Sequence, residues 1–234
     1  MIRGCMLALL LCGLPVAGLA QKDPRPDRDD QQVMSTDAFL NAHPDIKHRR
    51  LGAIAFDEGR HDDARAEFLK AARYGDKMSQ AMLAEMAWKG QGQPQDRPLG
   101  YAWADLAAER GYPQFVVLRE AYWEALPPDA RVRAVEVGQP LLDEYADAVA
   151  RPRIAKAMRD ARRYMIAGRP NRNIQRIYVL GPYGLWTQIR GHDFYAEKFW
   201  EPKAYEAWTD AVWTAPPPAE KVEVGSPESL SLPR

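Results

Sequence analysis

Cysteine is nearly absent from this chain of 234 residues. The two cysteines, Cys5 and Cys12, both lie in an apolar run near the N-terminus, at residues 5–20. A disulfide, a thiol nucleophile and a thiolate metal site are therefore excluded from everything that follows this run. The rest of the chain must fold by packing alone.

Long apolar stretches are also scarce, and residues 5–20 form the longest one. A basic residue precedes this run, polar residues follow it, and it is too short to span a bilayer comfortably. Gly18 and Ala20 are small enough for cleavage before Gln21. We predict a signal peptide at residues 1–20 and export to the periplasm of a Gram-negative bacterium, with no transmembrane segment after cleavage. An uncleaved membrane anchor is the alternative.

Neither sign of charge dominates, because 32 Lys and Arg residues balance 32 Asp and Glu residues. No overall electrostatic field then favours nucleic acid, and the sequence contains no motif that reads it. We therefore expect no nucleic acid among the partners of this protein.

Residues that could carry catalysis are few. The five serines lie outside the Ser-x-x-Lys and Gly-x-Ser-x-Gly motifs of serine enzymes. The four histidines, His43, His48, His61 and His192, lack the spacing of metal ligands. We predict a protein that is not an enzyme, with no catalytic residue, no metal site and no cofactor.

Two helix pairs, at residues 51–75 and 83–111, organise the chain. The ending Ala-Ala-x-x-Gly of the first pair recurs 36 residues later in the second, and Leu51 aligns with Leu83 at an offset of 32. The helical period places Leu51 and Ile54 on the apolar face of the first helix. A fixed period of this length is typical of a solenoid in which each helix pair buries its face against the next.

The second pair, LAEMAWKGQGQPQD followed by AWADLAAERG, carries a specific motif. Its positions are Leu83, Gly90-x-Gly92, Asp96, Trp103 and Ala107-Ala108-x-x-Gly111. In this order they resemble the Sel-one-like repeat (SLR), a relative of the tetratricopeptide repeat. The likeness covers residues 45–125, departs from the family at Ala84 and Ala104, and lacks the Gly-x-Gly loop in the first pair. The resemblance implies a helical-repeat solenoid whose concave surface holds another protein or peptide.

The other segments differ in composition. We predict a mainly α fold, an α/α helical-repeat solenoid (SLR-like) with a small C-terminal β-hairpin plus an aromatic helix. Its parts are a signal peptide at 1–20, a disordered linker at 21–42, helical repeats at 43–126, a helical cap at 127–168, the hairpin and aromatic helix at 169–215, and a flexible tail at 216–234. Gly138 and Pro140 predict a break or kink in the cap. Residues 181–184 predict the hairpin turn.

Basic residues concentrate at residues 151–176, where nine Lys and Arg face a single acid, Asp160. On a helix, Lys156, Arg159 and Arg163 fall on one stripe. This basic stripe either contacts an anionic surface of the envelope, or is a solvated face that pairs internally with acidic helices.

Aromatic residues concentrate next, since residues 178–213 hold ten of the 23 in the chain. Such density is typical of a small packed core, but any ring left exposed would mark an interaction site. Trp200 and Trp208 are the candidates for that role.

These patterns together predict a non-catalytic periplasmic adaptor or scaffold that binds an unidentified envelope protein or peptide. The predicted binding residues are Lys156, Arg159, Arg163, Trp200 and Trp208. The alternative is a cell-wall-associated hydrolase, or a module that binds the cell wall or an anionic surface.

Overall fold

The computed structural model of the protein describes residues 23–166, 174–180 and 186–216. The helices are α1 (Arg28–Met34), α2 (Asp37–Ala42), α3 (Pro44–Asp57), α4 (His61–Ala72), α5 (Lys77–Lys89), α6 (Arg97–Ala108), α7 (Pro113–Ala125), α8 (Pro128–Tyr145), α9 (Asp147–Ile166), α10 (Gly191–Phe194), α11 (Glu197–Trp200) and α12 (Pro202–Thr214). The strands are β1 (Arg176–Leu180) and β2 (Trp186–Arg190). The predicted signal peptide, hairpin turn and C-terminal tail lie outside these ranges, apart from Pro216 at the start of the tail.

A helical array forms the first half of the protein. Helix α3 packs on α4, α4 on α5, and α5 on α6, while α7 and α8 both pack on α6. Gly75 and Gly111 follow the second helix of each repeat in the left-handed conformation, with φ of 78° and 70°. This conformation ends helices and is accessible mainly to glycine. The predicted fold class, a mainly α helical repeat with one small antiparallel strand pair, is confirmed.

The core of the array depends on small residues that let helices approach closely. A Cβ atom on Gly52 would lie 2.6 Å from the ring of Phe68, so only glycine fits at this α3–α4 contact. Trp103 is buried against Tyr145, with ring centroids 4.8 Å apart. Trp103 and the paired alanines are therefore packing residues of the scaffold.

The sequence predicts Leu51 and Ile54 on the buried face of α3, and this prediction is wrong. Leu51 is 44% exposed and Ile54 is 53% exposed, and Gly52 and Ala55 take the buried positions. The reason is the position of α3 in the array. Leu83, the repeat equivalent of Leu51, is buried in the cluster that α4 contributes to. The helices that precede α3, α1 and α2, belong instead to a second core and leave Leu51 and Ile54 uncovered.

The predicted break in the cap is absent, because α8 runs continuously through Gly138 and Pro140. Proline removes one backbone hydrogen bond from a helix interior. Packing compensates here, since α8 lies along α6 and the Cβ position of Gly138 comes within 3.6 Å of Ala102.

The predicted disordered linker at residues 21–42 is wrong for most of its length. Asp27 forms a capping box at the start of α1, and the side chain of Thr36 caps α2. Val33 and Phe39 are fully buried in a second core, together with Ile189, Phe199 and Trp200. The polar composition of this segment gave no sign of a helix. Its few apolar residues are buried by partners that lie far away in the sequence.

The C-terminal part of the described chain completes the second core. Strands β1 and β2 pair antiparallel, with Ile177 opposite Ile189. Pro202 begins α12, which forms within the predicted aromatic segment, and this helix packs on α11 and α9. Within the described ranges, none of the helices combines the length and the apolar character needed to cross a bilayer.

Phe39→Ala tests whether α2 belongs to the folded core. Removal of a fully buried phenylalanine leaves a cavity, so we expect the free energy of unfolding to fall by about 3–5 kcal/mol. Urea unfolding followed by circular dichroism measures the change. Val117→Ala, at an exposed position of α7, is the control and should shift stability by about 0.5 kcal/mol or less. Equal effects of the two variants would show that α2 is not part of the core.

Candidate binding cavity

A cavity of about 370 Å³ lies where α3, the α4–α5 turn, α9 and α12 meet. This volume lies in the range of small-ligand sites. Apolar side chains form much of the wall, namely Met34, Ile46, Tyr74, Pro152, Ile154, Trp208, Val212 and Trp213. The cavity therefore lies between the helical array and the C-terminal helices that pack against it.

Lys77 anchors the floor of the cavity and is almost wholly buried. Its ammonium donates to the carbonyl of Leu106 at 2.9 Å and to Glu109 Oε2 at 2.8 Å, and lies 3.1 Å from Asp147 Oδ1. The Arg110 guanidinium donates to the same carboxylate, at 2.7 Å from Nε to Oδ2. Buried charges of both signs are thus matched, as the cost of burying an unpaired ion requires.

The carboxylate of Asp147 is held ionised by these two cations. Burial by itself would raise the pKa of Asp147, but the hydrogen bond from Arg110 and the charge of Lys77 outweigh it and lower the pKa to about 2. Asp147 stands at the start of α9, so these ion pairs fix the beginning of that helix to the repeats.

Asp45 and Tyr205 form a buried polar contact between α3 and α12. The Tyr205 hydroxyl donates to Asp45 Oδ2 at 2.6 Å, while Oδ1 has no hydrogen-bond partner among the described residues. Burial raises the pKa of Asp45 to about 6 and that of Tyr205 well above its usual value. Beside them, Arg49 donates to Asp76 Oδ1 at 2.7 Å, and Asp76 caps α5.

The rim of the cavity carries basic residues from α9 and α12. Arg151 forms ion pairs with Asp147 and with Glu206. Arg159 and Lys203 are exposed and also line the cavity, and neither forms an ion pair with any residue that the structure describes. The rim therefore presents two cations to a bound molecule.

The predicted basic stripe does not form a single site. Arg159 lines the cavity, but Lys156 and Arg163 do not. Lys156 forms an ion pair with Asp160 at 2.6 Å, and Arg163 lies 3.8 Å from the same carboxylate. Only one of the three predicted cations belongs to the cavity.

The two predicted tryptophans differ. Trp200 is 4% exposed, packs against Phe39 and Phe194, and donates its indole N–H to the Phe194 carbonyl, so an exposed binding role for it is wrong. The aromatic cluster is larger than a local mini-core because α2 adds Phe39, and Trp200 is enclosed. Trp208 lines the cavity and donates to the carbonyl of Pro24 at 2.8 Å.

Three residues of the cavity carried no sequence signal of a site. Asp45 has the position of an ordinary carboxylate in the first turn of α3, where the helix dipole favours it. Arg49 lies one turn later, and Tyr205 lies on α12, within the segment predicted as an aromatic helix. Among the described side chains, no three His, Cys, Asp or Glu residues are grouped to hold a metal ion.

The geometry defines the class of this protein as an α/α helical-repeat protein with a C-terminal unit packed onto the repeats. No protein-family model and no curated protein matches the chain. One similar crystal structure is that of a protective antigen present in uropathogenic Escherichia coli strains, which displays an SLR fold. The identity is 21% and the TM-score 0.41, over 54% of this chain and 26% of that chain. The chain thus spans about a quarter of that protein. The packing of the helix pairs in this structure, and not the similarity to that protein, supports the repeat architecture.

Asp45→Asn should change how stability depends on pH. The folded pKa of Asp45 is about 6 against 3.8 unfolded, so the native state binds more protons between these values and stability falls as pH rises. Burial lowers the pKa of neighbouring His43 from 6.5 to about 4, which gives the opposite slope in nearly the same range. The two contributions largely cancel in the wild-type protein.

Removal of the Asp45 carboxylate leaves the His43 slope uncompensated. The free energy of unfolding of Asp45→Asn, relative to wild type, should therefore increase by about 3 kcal/mol from pH 4 to pH 6.5. Urea unfolding at several pH values measures this difference. Asp57→Asn, at an exposed position of the same helix, is the control. Parallel pH profiles for wild type and Asp45→Asn would contradict the assigned burial of Asp45.

Proposed function

We propose that the protein is a non-catalytic adaptor that holds a segment of another protein in the cavity between the repeats and α12. The observation that carries this proposal is the cavity itself, with apolar walls and two rim cations, Arg159 and Lys203, that form no ion pair with any described residue. Apolar walls with a few placed polar groups are typical of sites that bind by enclosing a ligand.

Preorganisation of the cavity supports a binding role. Its walls come from α3, α5, α9 and α12. Ion pairs of Lys77 and Arg151 connect α5, α9 and α12. The ion pair of Arg49 with Asp76 connects α3 to the start of α5. A site that is already ordered loses less conformational entropy when a ligand binds. The free energy of the contacts with a ligand therefore contributes to affinity, and little of it is lost in ordering the walls of the cavity.

The chemistry of the lining favours binding over catalysis. The described lining includes no serine, cysteine or histidine, and Thr209 is its one aliphatic hydroxyl. Lys77 and Arg110 are occupied by buried carboxylates, and Asp45 accepts a hydrogen bond from Tyr205. These groups have structural partners, which leaves none of them poised as a nucleophile or base.

The periplasm is the proposed site of action. The support for it is the apolar run at residues 5–20, which has the length and flanking residues of a signal peptide. The proposed partner is accordingly a protein or peptide of the cell envelope.

Position-specific photo-crosslinking tests the adaptor role. A crosslinker in place of Lys203, at the rim, should capture a partner from envelope extracts, whereas one in place of Lys89, far along α5, should not. Val212→Trp fills the cavity and should reduce the crosslinked product at least about tenfold, since it blocks entry of an anchoring side chain. Val117→Trp, on an exposed face, is the matched control. Equal capture from both positions, or no effect of Val212→Trp, would contradict the proposal.

Contact with an anionic surface is a second candidate, favoured by the exposure of two cations on α9. The side chains of Lys156 and Arg163 are 75% and 81% exposed. The double variant Lys156→Glu with Arg163→Glu should lose co-flotation with vesicles that contain phosphatidylglycerol, and neither protein should float with phosphatidylcholine alone. Unchanged flotation would show that the face of α9 with Lys156 and Arg163 is solvated and does not bind the vesicles.

A further inference from the structure

The first helix of the array, α3, carries an apolar stripe on its exposed face. The stripe consists of residues that follow one another at helical spacing, namely Lys47, Leu51, Ile54 and Glu58. Leu51 and Ile54 are 44% and 53% exposed, although both are large aliphatic residues. End faces of helical-repeat arrays are ordinarily polar, because solubility requires it. The α3 stripe therefore has the character of a contact surface.

The internal repeat indicates which kind of element fits on this stripe. At the offset of 32 residues, Leu51 corresponds to Leu83 and Ile54 to Met86, and both of these residues of α5 are buried. They lie in one cluster with Phe68 of α4. Helices α4 and α5 run in opposite directions, since they pack on each other and a turn of four residues joins them. By this comparison, an antiparallel helix fits on the stripe of α3.

The α3 stripe is complementary to a second copy of itself. Lys47 precedes Leu51 by four residues and Glu58 follows Ile54 by four, so the stripe has the same spacing when it is read from either end. In an antiparallel pair of two such helices, Lys47 of each copy faces Glu58 of the other, and Leu51 faces Ile54. A parallel pair would instead place Lys47 against Lys47 and Glu58 against Glu58.

The flank of the stripe has the same complementarity. Arg50 and Asp57 are exposed and lie seven residues apart, on the same side of α3. In the antiparallel pair, Asp57 of the second copy lies within about one helical turn of Arg50. Neither residue forms an ion pair with another described residue, and Arg50 donates to the Met34 carbonyl at 3.1 Å. The flanks thus add a second pair of opposite charges to each side of the contact.

The charged ends of the stripe are available to a second copy. Lys47 donates to Asn41 Oδ1 at 2.9 Å, which uses one of the three protons of its ammonium group. Arg60 donates to Glu58 Oε2 at 3.0 Å, and the Glu58 side chain is still 55% exposed. Exposed ion pairs of this kind contribute little to stability, so they do not oppose a new contact.

We infer that the protein forms a symmetric dimer, in which α3 of one copy packs antiparallel on α3 of a second copy. The same face is used by both copies, so the contact is isologous and closes with two molecules. One helix face is small beside the roughly 800 Å² that each partner buries in a standard interface, so the dimer should dissociate on dilution. The inference does not depend on the cavity or on the partner proposed for it.

Sedimentation velocity of the purified full-length protein over a series of concentrations tests the dimer. The wild type should dimerise and form nothing larger. Ile54→Glu places two carboxylates at the centre of the contact and should leave the protein monomeric where the wild type dimerises. Val117→Glu, at an exposed position of α7, is the control and should dimerise as the wild type does. Circular dichroism confirms that each variant is folded.

Two charge reversals test the antiparallel register. Lys47→Glu and Glu58→Lys each bring like charges together twice in a homodimer, and each should weaken dimerisation about tenfold. Both changes place a charge that the helix dipole favours at its own end of α3, so neither should destabilise the helix. An equimolar mixture of the two variants should restore dimerisation, because every such contact in the mixed dimer joins opposite charges.

Several results would overturn the inference. They are a wild-type protein that remains monomeric at all accessible concentrations, an undiminished dimer of Ile54→Glu, and a mixture of the reversal variants that associates no better than its components. Assemblies larger than a dimer would also contradict it, because an isologous contact leaves no second surface to extend.

Discussion

The buried ammonium of Lys77 is the constraint on which the arrangement of the two halves depends. A charge at this depth is tolerated only when carboxylates and carbonyls surround it. Glu109, at the end of α6, and Asp147, at the start of α9, provide those carboxylates at 2.8 and 3.1 Å. The chain after the repeats must therefore return to the α4–α5 turn before α9 can begin.

The position of α12 follows from the same ion pairs. Asp147 also binds Arg151, one turn into α9, and Arg151 reaches Glu206 on α12. Tyr205, adjacent to Glu206, then meets Asp45 of α3. A chain of polar contacts thus runs from the repeats through α9 to α12 and back to the repeats. Because polar contacts hold these walls apart at fixed points, the apolar side chains between them do not close the space, and a cavity remains.

Local sequence patterns predict the helical repeats. They do not predict which residues are buried by contacts with distant parts of the chain. The Ala-Ala-x-x-Gly endings predict both helix ends, since Gly75 and Gly111 adopt the left-handed conformation within their own turns. The burial of Phe39 and Trp200 is different in kind. Their rings lie 6.3 Å apart, although 161 positions separate them in the sequence (200 − 39). No window of neighbouring residues contains that information, so the sequence alone predicts a linker where α2 lies and an exposed binding role for Trp200.

The basic segment of α9 shows why a run of like charges has two physical meanings. Arg151 and Arg162 form ion pairs with Glu206 and Glu201 in the C-terminal helices, and Arg153 donates to the carbonyl of Glu144. These arginines attach α9 to its neighbours, and their charges are neutralised or shared within the fold. Arg159 lies on the same helix and lines the cavity, without an ion pair to any described residue. A run of basic residues can pair with acidic segments of the same chain, or it can bind an anion. The ion pairs in the structure distinguish these two roles, and they leave Arg159 as the arginine that is available to a ligand.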